Sequence, residues 1–362
     1  MSRLHVVSGK GGTGKTTVAA ALALALATEG RRTLLVEVEG RQGIAQVFET
    51  EALPYEERKI AVAPGGGEVH ALAIDAERAL LDYLQMFYKL GSAGRALKKL
   101  GAIDFATTIA PGLRDVLLTG KACEAVRRKD KRGKFVYDAI VMDAPPTGRI
   151  TRFLNVNDEV AGLARIGPIH NQAQAVMRVL KSPETAVHLV TLLEEMPVQE
   201  TADGVAELRA AGLPVGGTVI NMTRPAVLDT GDLDIAARGA RTGIAKALAQ
   251  AGLGGPRRAE DHLKAGRREA SPAGAAVGDG RKVRREASPA GAVAGDGWAD
   301  QLIDPLLEQA REHAERVELE RVQYAELTGL GLPTYELELL PEGVDLAGLY
   351  RLARDLRKQG PI

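Results

Sequence analysis

Glycine, lysine and threonine alone fill the stretch Gly9-Lys10-Gly11-Gly12-Thr13-Gly14-Lys15-Thr16-Thr17. Gly9, Gly14, Lys15 and Thr16 meet the phosphate-loop spacing, GxxxxGK followed by Ser or Thr. Glycines at such positions let backbone N–H groups curl around phosphate oxygens. A helix starting at Lys15 aims its positive end at the same anion. In that arrangement Lys15 reaches the β- and γ-phosphates, and the Thr16 hydroxyl binds Mg2+.

Three further positions fall where such a site needs polar groups. Asp143 ends the apolar run Tyr137 to Met142, and a carboxylate there holds Mg2+ directly or through water. The following Ala-Pro-Pro-Thr-Gly reads as a rigid turn closed by Gly148. Glu39 lies just past the run RTLLVEV, placed to orient or deprotonate an attacking water; Glu37, two residues earlier on the same strand face, is its rival. Asn221 follows PVGGTVI, and an amide there offers a donor and an acceptor to adenine's edge.

These residues need strands and helices to carry them. Residues 3–8, 32–38, 68–74, 137–142, 186–192, 214–220 and 334–340 read as strands. Residues 15–28, rich in alanine and leucine, read as a helix, as do 197–211, 298–327 and 345–357. Strand, loop, helix, strand is the start of a parallel sheet. The fold class is therefore α/β: a doubly wound, mostly parallel P-loop NTPase sheet with helical insertions. The chain reads as a single domain, 1–362, with insertions at 76–132 and 158–184 offering a client or subunit surface. Within 254–297 the segment REASPAGAAVGDG recurs almost unchanged as REASPAGAVAGDG. It carries too little apolar surface to offset chain entropy, so a disordered surface loop is expected.

Composition narrows the function. The chain has 362 residues, 45% hydrophobic and 26% charged, with 47 basic and 47 acidic side chains. That balance gives no bulk electrostatic case for nucleic acid or an anionic membrane. The basic run Arg127 to Lys134 reads as a solvated helix end and loop. The lone Cys123 excludes an internal disulfide, a CxxC zinc site and a three-thiolate metalloid site within one chain. It fits a reducing cytoplasm, as does a start that is strand-like rather than leader-like. No uncharged apolar run is long enough to span a bilayer, so membrane business would go through a partner.

Taken together, the loop with its early second lysine, Leu34 to Phe48 (LLVEVEGRQGIAQVF) and Asp143 to Leu154 (DAPPTGRITRFL) resemble one family. It is the ArsA-type group of arsenite-pump and tail-anchored-protein-targeting ATPases, related to nitrogenase iron protein and the partition ATPases. The sequence is most similar to its actinobacterial-type branch of anion-transporting ATPases. Gly9 to Thr17 matches the family's deviant loop, KGGxGKTT. The other two blocks resemble its first switch (Asp-Pro-Ala-His, loosely) and second switch (Asp-Thr-Ala-Pro-Thr-Gly-His, closely).

The resemblance implies ATP and Mg2+ as cofactors, with Gly9, Lys10, Gly11, Gly12, Thr13, Gly14, Lys15, Thr16 and Thr17 around the phosphates. It implies that Lys10 reaches across a nucleotide-sandwich dimer to the partner's phosphates, as an arginine finger does. Glu39 stands where the family has its catalytic aspartate, Gly40, Arg41 and Gln42 replace Pro-Ala-His, and Asn221 falls at the adenine-reading asparagine. A single loop implies pairing with a second subunit, as a homodimer or with a paralogue. The implied function is a Mg2+-dependent ATPase that switches binding of a client or membrane-protein partner. Its alternatives are a low-turnover nucleotide-binding regulatory or assembly module, and the energising subunit of an anion efflux pump. The missing thiols count against the pump. Few methionines besides Met86 and Met177 in the helical blocks count against an adaptable client groove.

Overall fold

In this computed structural model the residues described are 2–88, 112–163, 168–225 and 297–360. Eight strands form one sheet in the order β3-β4-β2-β5-β1-β6-β7-β8. They are β1 Leu4–Gly9, β2 Arg32–Glu37, β3 Arg58–Ala63, β4 Gly67–Ala73, β5 Ala139–Asp143, β6 Thr185–Thr191, β7 Val215–Thr223 and β8 Thr334–Glu338. All neighbours pair in parallel except β3 and β4, which are antiparallel. The central strands are near-continuous apolar runs because helices cover both faces of the sheet.

Alternate residues serve the two faces. Leu4, Val6, Leu34, Val36, Ile140 and Met142 point into a core closed by α3 Ala76–Tyr88, α4 Leu113–Arg127, α5 Thr147–Leu163, α6 Pro168–Leu180 and α7 Glu195–Ala210. Val7, Leu35 and Val141 point into the other core, under α1 Lys15–Leu26, the short α2 Gly43–Val47 and α9 Leu346–Lys358. Val18 to Leu24 of α1 are all buried, which explains why its sequence is apolar all round. α9 covers it with Leu349, Leu352, Ala353 and Leu356, a helical stripe, and Asp345 caps it by accepting from Gly348 N–H at 2.7 Å.

By contacts the chain divides into two compact units, Met1–Pro225 with Leu319–Ile362, and Ala226–Glu318. The first holds the whole sheet. The second contributes to the described residues the early part of α8, Gly297–Gly329. The tandem repeat of 254–297 lies outside the described residues apart from Gly297, which opens α8. Residues 89–111 of the first insertion lie outside them too. Among the described residues no helix is long and apolar enough to cross a membrane.

Several elements differ from the sequence reading. β3 is absent from it, because an edge strand with Arg58 and Lys59 at its head lacks a continuous apolar signal. The Pro-Pro-Thr-Gly stretch is no turn ending in Gly148. α5 begins at Thr147, directly after Pro146, where a missing N–H costs a helix nothing. The helical block expected from Asp158 is thus two helices, α5 and α6. The basic run Arg127 to Lys134 is a solvated helix end and loop as read, with Arg128 half-buried and paired with Glu57 at 2.5 Å and Glu124 at 2.7 Å. Cys123 is free and buried, and burial pushes its thiol up to about 12. Met177 is core.

Candidate active site

Parallel pairing aligns Val7 and Glu37 with Asp143, and Gly9 with Val190. The carboxyl ends of β1, β2, β5 and β6 therefore open at one edge of the sheet. This edge is where ligands bind in doubly wound folds.

The glycine loop joins β1 to α1 along a path that excludes side chains at two points. A Cβ on Gly9 would sit 2.2 Å from the Val190 carbonyl oxygen. Gly14 has φ +84°, and a Cβ there would meet Asn221 Nδ2 at 2.3 Å. Thr13 braces the middle: its hydroxyl donates to the Lys10 carbonyl at 2.8 Å, and its N–H reaches the same oxygen at 3.3 Å. Its own carbonyl accepts from Asn221 Nδ2 at 2.9 Å, tying the loop to β7. That bond uses one of the two Asn221 amide hydrogens, and the side chain is buried. The first helical bond of α1 runs from Val18 N–H to Gly14 O at 2.9 Å. The amides of Lys15, Thr16 and Thr17 are left for an anion.

Thr16 and Asp143, distant in sequence, meet at the loop's mouth. The Thr16 hydroxyl donates to Asp143 Oδ2 at 2.7 Å. Burial pushes the Asp143 carboxyl up to about 6; Glu37 and Glu39 push the same way, while Thr16 and Lys15 oppose. Two oxygen donors beside an excess of carboxylate suit a hard divalent cation. Among the described residues no cluster of three or more His, Cys, Asp and Glu could hold a metal by itself. An ion here would take its remaining oxygens from phosphate and water.

Glu37 and Glu39, rivals in the sequence, are separated by their surroundings. Glu37 is 2% exposed and its carboxylate accepts from Gln42 N–H at 2.5 Å and Ile44 N–H at 3.2 Å. Both oxygens are thus occupied in capping α2. Glu39 is more open and lies 3.8 Å from the Arg41 guanidinium. The α2 start rests on Thr16, since a Cβ on Gly43 would lie 3.2 Å from Thr16 Cγ2. Gln42 adopts φ +57° and brackets Leu53, accepting from its N–H at 2.6 Å and donating to its carbonyl at 3.3 Å. On the other side, Ser8 donates to the Pro145 carbonyl at 2.6 Å, anchoring the Asp143 turn to β1.

Lys10 extends to α7, where its Nζ lies 2.7 Å from Glu200 Oε1. Sequence reasoning missed Ser8, the capping role of Glu37 and Glu200. A buried serine closing an apolar strand is a signal for the first. Glu200 has none, being an ordinary charge on a separate helix.

Residues 2–183 match the family described as anion-transporting ATPase. ATPase BagA of Mycobacterium tuberculosis is 49% identical over 360 residues, covering 99% of this chain and 93% of that protein. ATPase GET3 of Kluyveromyces lactis is 26% identical over 62% of this chain and 73% of its own length. The arsenical pump-driving ATPase of Escherichia coli is 28% identical over 60% of this chain and 39% of its own length. With half its length in the family match and near-complete alignment to a relative of that kind, the chain belongs to the anion-transporting ATPase family and hydrolyses ATP.

Proposed function

We propose that the protein is a Mg2+-dependent ATPase that works as a nucleotide-sandwich dimer, with itself or a paralogue, and uses the γ-phosphate to set the shape of a partner-binding face. One observation carries this reading: the Thr16–Asp143 hydrogen bond lies between the two segments that would sense the γ-phosphate. Residues 39–43 rest on Thr16 from one side, and the turn after Asp143 leads into α5 on the other.

In the proposed site, the amides at the head of α1 and the Lys15 ammonium grip the triphosphate. Thr16 and Asp143 would hold the magnesium ion, which when bound draws charge from the β- and γ-phosphate oxygens. Glu39 orients the water whose oxygen bonds to the γ-phosphorus as the bridging oxygen leaves with ADP. Lys10 from the opposite subunit offsets the charge on the transferring group. Loss of the γ-phosphate then releases both switches. α5 carries that change to the helical insertions 76–132 and 158–184. A cavity of about 970 Å³ lies there, with Ala79, Leu117, Lys121, Asn157 and Val176 in its wall, and it supports these helices as the partner surface.

Lys15→Ala is expected to abolish phosphate release by the folded chain, and undiminished release would refute the site. Lys10→Ala is expected to keep ATP binding while cutting turnover by about 10³-fold or more, the scale of trans-acting cations.

A further inference from the structure

Glu200 has no role in the ATP site as assigned so far, yet it contacts one of that site's lysines. Glu200 stands on α7, the helix that follows β6, and its carboxylate is 2.7 Å from the Lys10 ammonium. The Lys10 backbone is already held, because its carbonyl accepts both the hydroxyl and the N–H of Thr13. Only the four-carbon stem is left to move, and a free lysine stem samples many rotamers. The polyphosphate nearest to a free Lys10 would be the one bound by its own loop.

We infer that Glu200 is the positioning residue for Lys10: it holds the ammonium against α7, where a second subunit can meet it, rather than folded back over its own loop. The inference rests on the proposed role of Lys10 across the dimer. An ammonium has three N–H donors, so a carboxylate takes one and leaves the others for a phosphate oxygen. The contact therefore persists while the lysine works. The two side chains are 30% and 37% exposed. Such a pair adds little to the stability of the fold, and its consequence is orientation.

The test is a cycle of Lys10→Ala, Glu200→Ala and the double variant, in the full chain together with the subunit it assembles with. Glu200→Ala is expected to lower kcat between about ten- and a hundred-fold, the scale of a misplaced catalytic group. KM for ATP and the melting temperature should stay as they were. Glu200→Asp should recover part of the loss. In the Lys10→Ala background, Glu200→Ala should cost nothing further, which a merely structural glutamate would not satisfy. Additive losses, or turnover in Glu200→Ala equal to or above the parent, overturn the inference. Unchanged turnover in Lys10→Ala alone overturns the trans-lysine reading and this one with it. A loss in Lys10→Ala with none in Glu200→Ala overturns only the role of Glu200.

Discussion

The glycine loop runs directly into the helix that carries Thr16, the segment after β2 packs on the Thr16 side chain through Gly43, and the two are held in different ways. The loop is braced from three directions, by Val190 of β6, Asn221 of β7 and its own Thr13. The polar contacts of the segment after β2 centre on one buried carboxylate, Glu37, and one amide, Gln42, which itself sits in the left-handed region, while Ile44, Phe48 and Leu53 are buried in the core. That strain costs on the order of 1–3 kcal/mol and persists only while the surroundings hold it. The loop is thus held by contacts to two other strands, whereas the other segment relies on Glu37 and Gln42 and on those three apolar side chains. The proposed nucleotide switch would use this difference, with the loop keeping its shape and the other segment moving.

The comparison breaks most visibly at the loop. Gly14→Ala should cut ATP affinity by about a hundredfold or more, since the new methyl meets Asn221 at 2.3 Å and φ +84° disfavours any L residue. Calorimetric titration checks this, and wild-type affinity would show that the loop is not rigid. Next comes Glu37→Ala, which strips two amides of their acceptor inside a buried site. The expected loss is roughly 2–6 kcal/mol of stability by denaturant unfolding, from about 1–3 kcal/mol for each of the two amides left without an acceptor. ATP binding should survive and turnover fall. Equal loss of both would mean that the two segments form one rigid unit.

A pH titration sharpens the contrast further. His5 and His188 lie side by side under the loop's strands, ring nitrogens 3.1 Å apart. Burial is the main cause that holds His5 down at about 4 and His188 at about 3. The unfolded chain, with imidazoles near 6.5, therefore binds more protons below that pH. The stabilisation from these neutral rings is whole above about pH 6.5 and is lost as pH falls through about 4 for His5 and about 3 for His188. Hydrogen exchange at pH 5 against pH 7.5 should show β1 and β6 loosening more than β2 and β4; equal protection at both pH values would remove the pair from the account. The smallest effect belongs far from either segment. Asp345→Ala removes the α9 cap and should cost about 1 kcal/mol without touching turnover.

Much of this was legible in the chain itself. The loop spacing is local, so Gly9, Gly14, Lys15 and Thr16 announce their path before any contact is known. Asp143 was legible because it terminates an apolar run, and α9 because its apolar stripe repeats at the helical period. β3 was not, since an edge strand draws its pairing from β4 rather than from its own pattern. Nor was the start of α5, where a proline pair reads equally as a turn or as the first step into a helix.

Glu37 and Glu39 make the distinction sharpest. The chain places both carboxylates at the end of the same strand, and nothing in their neighbours separates them. Only the folded structure gives Glu37 two backbone amides and leaves Glu39 the more open side chain. Likewise, the residues proposed to bind phosphate are contiguous, and their path was determined by the sequence, because backbone shape is a property of adjacent residues. Which acid caps, which lysine is held by Glu200 and which threonine meets Asp143 were decided by strand order, because that order alone sets which distant side chains share a few ångströms of space.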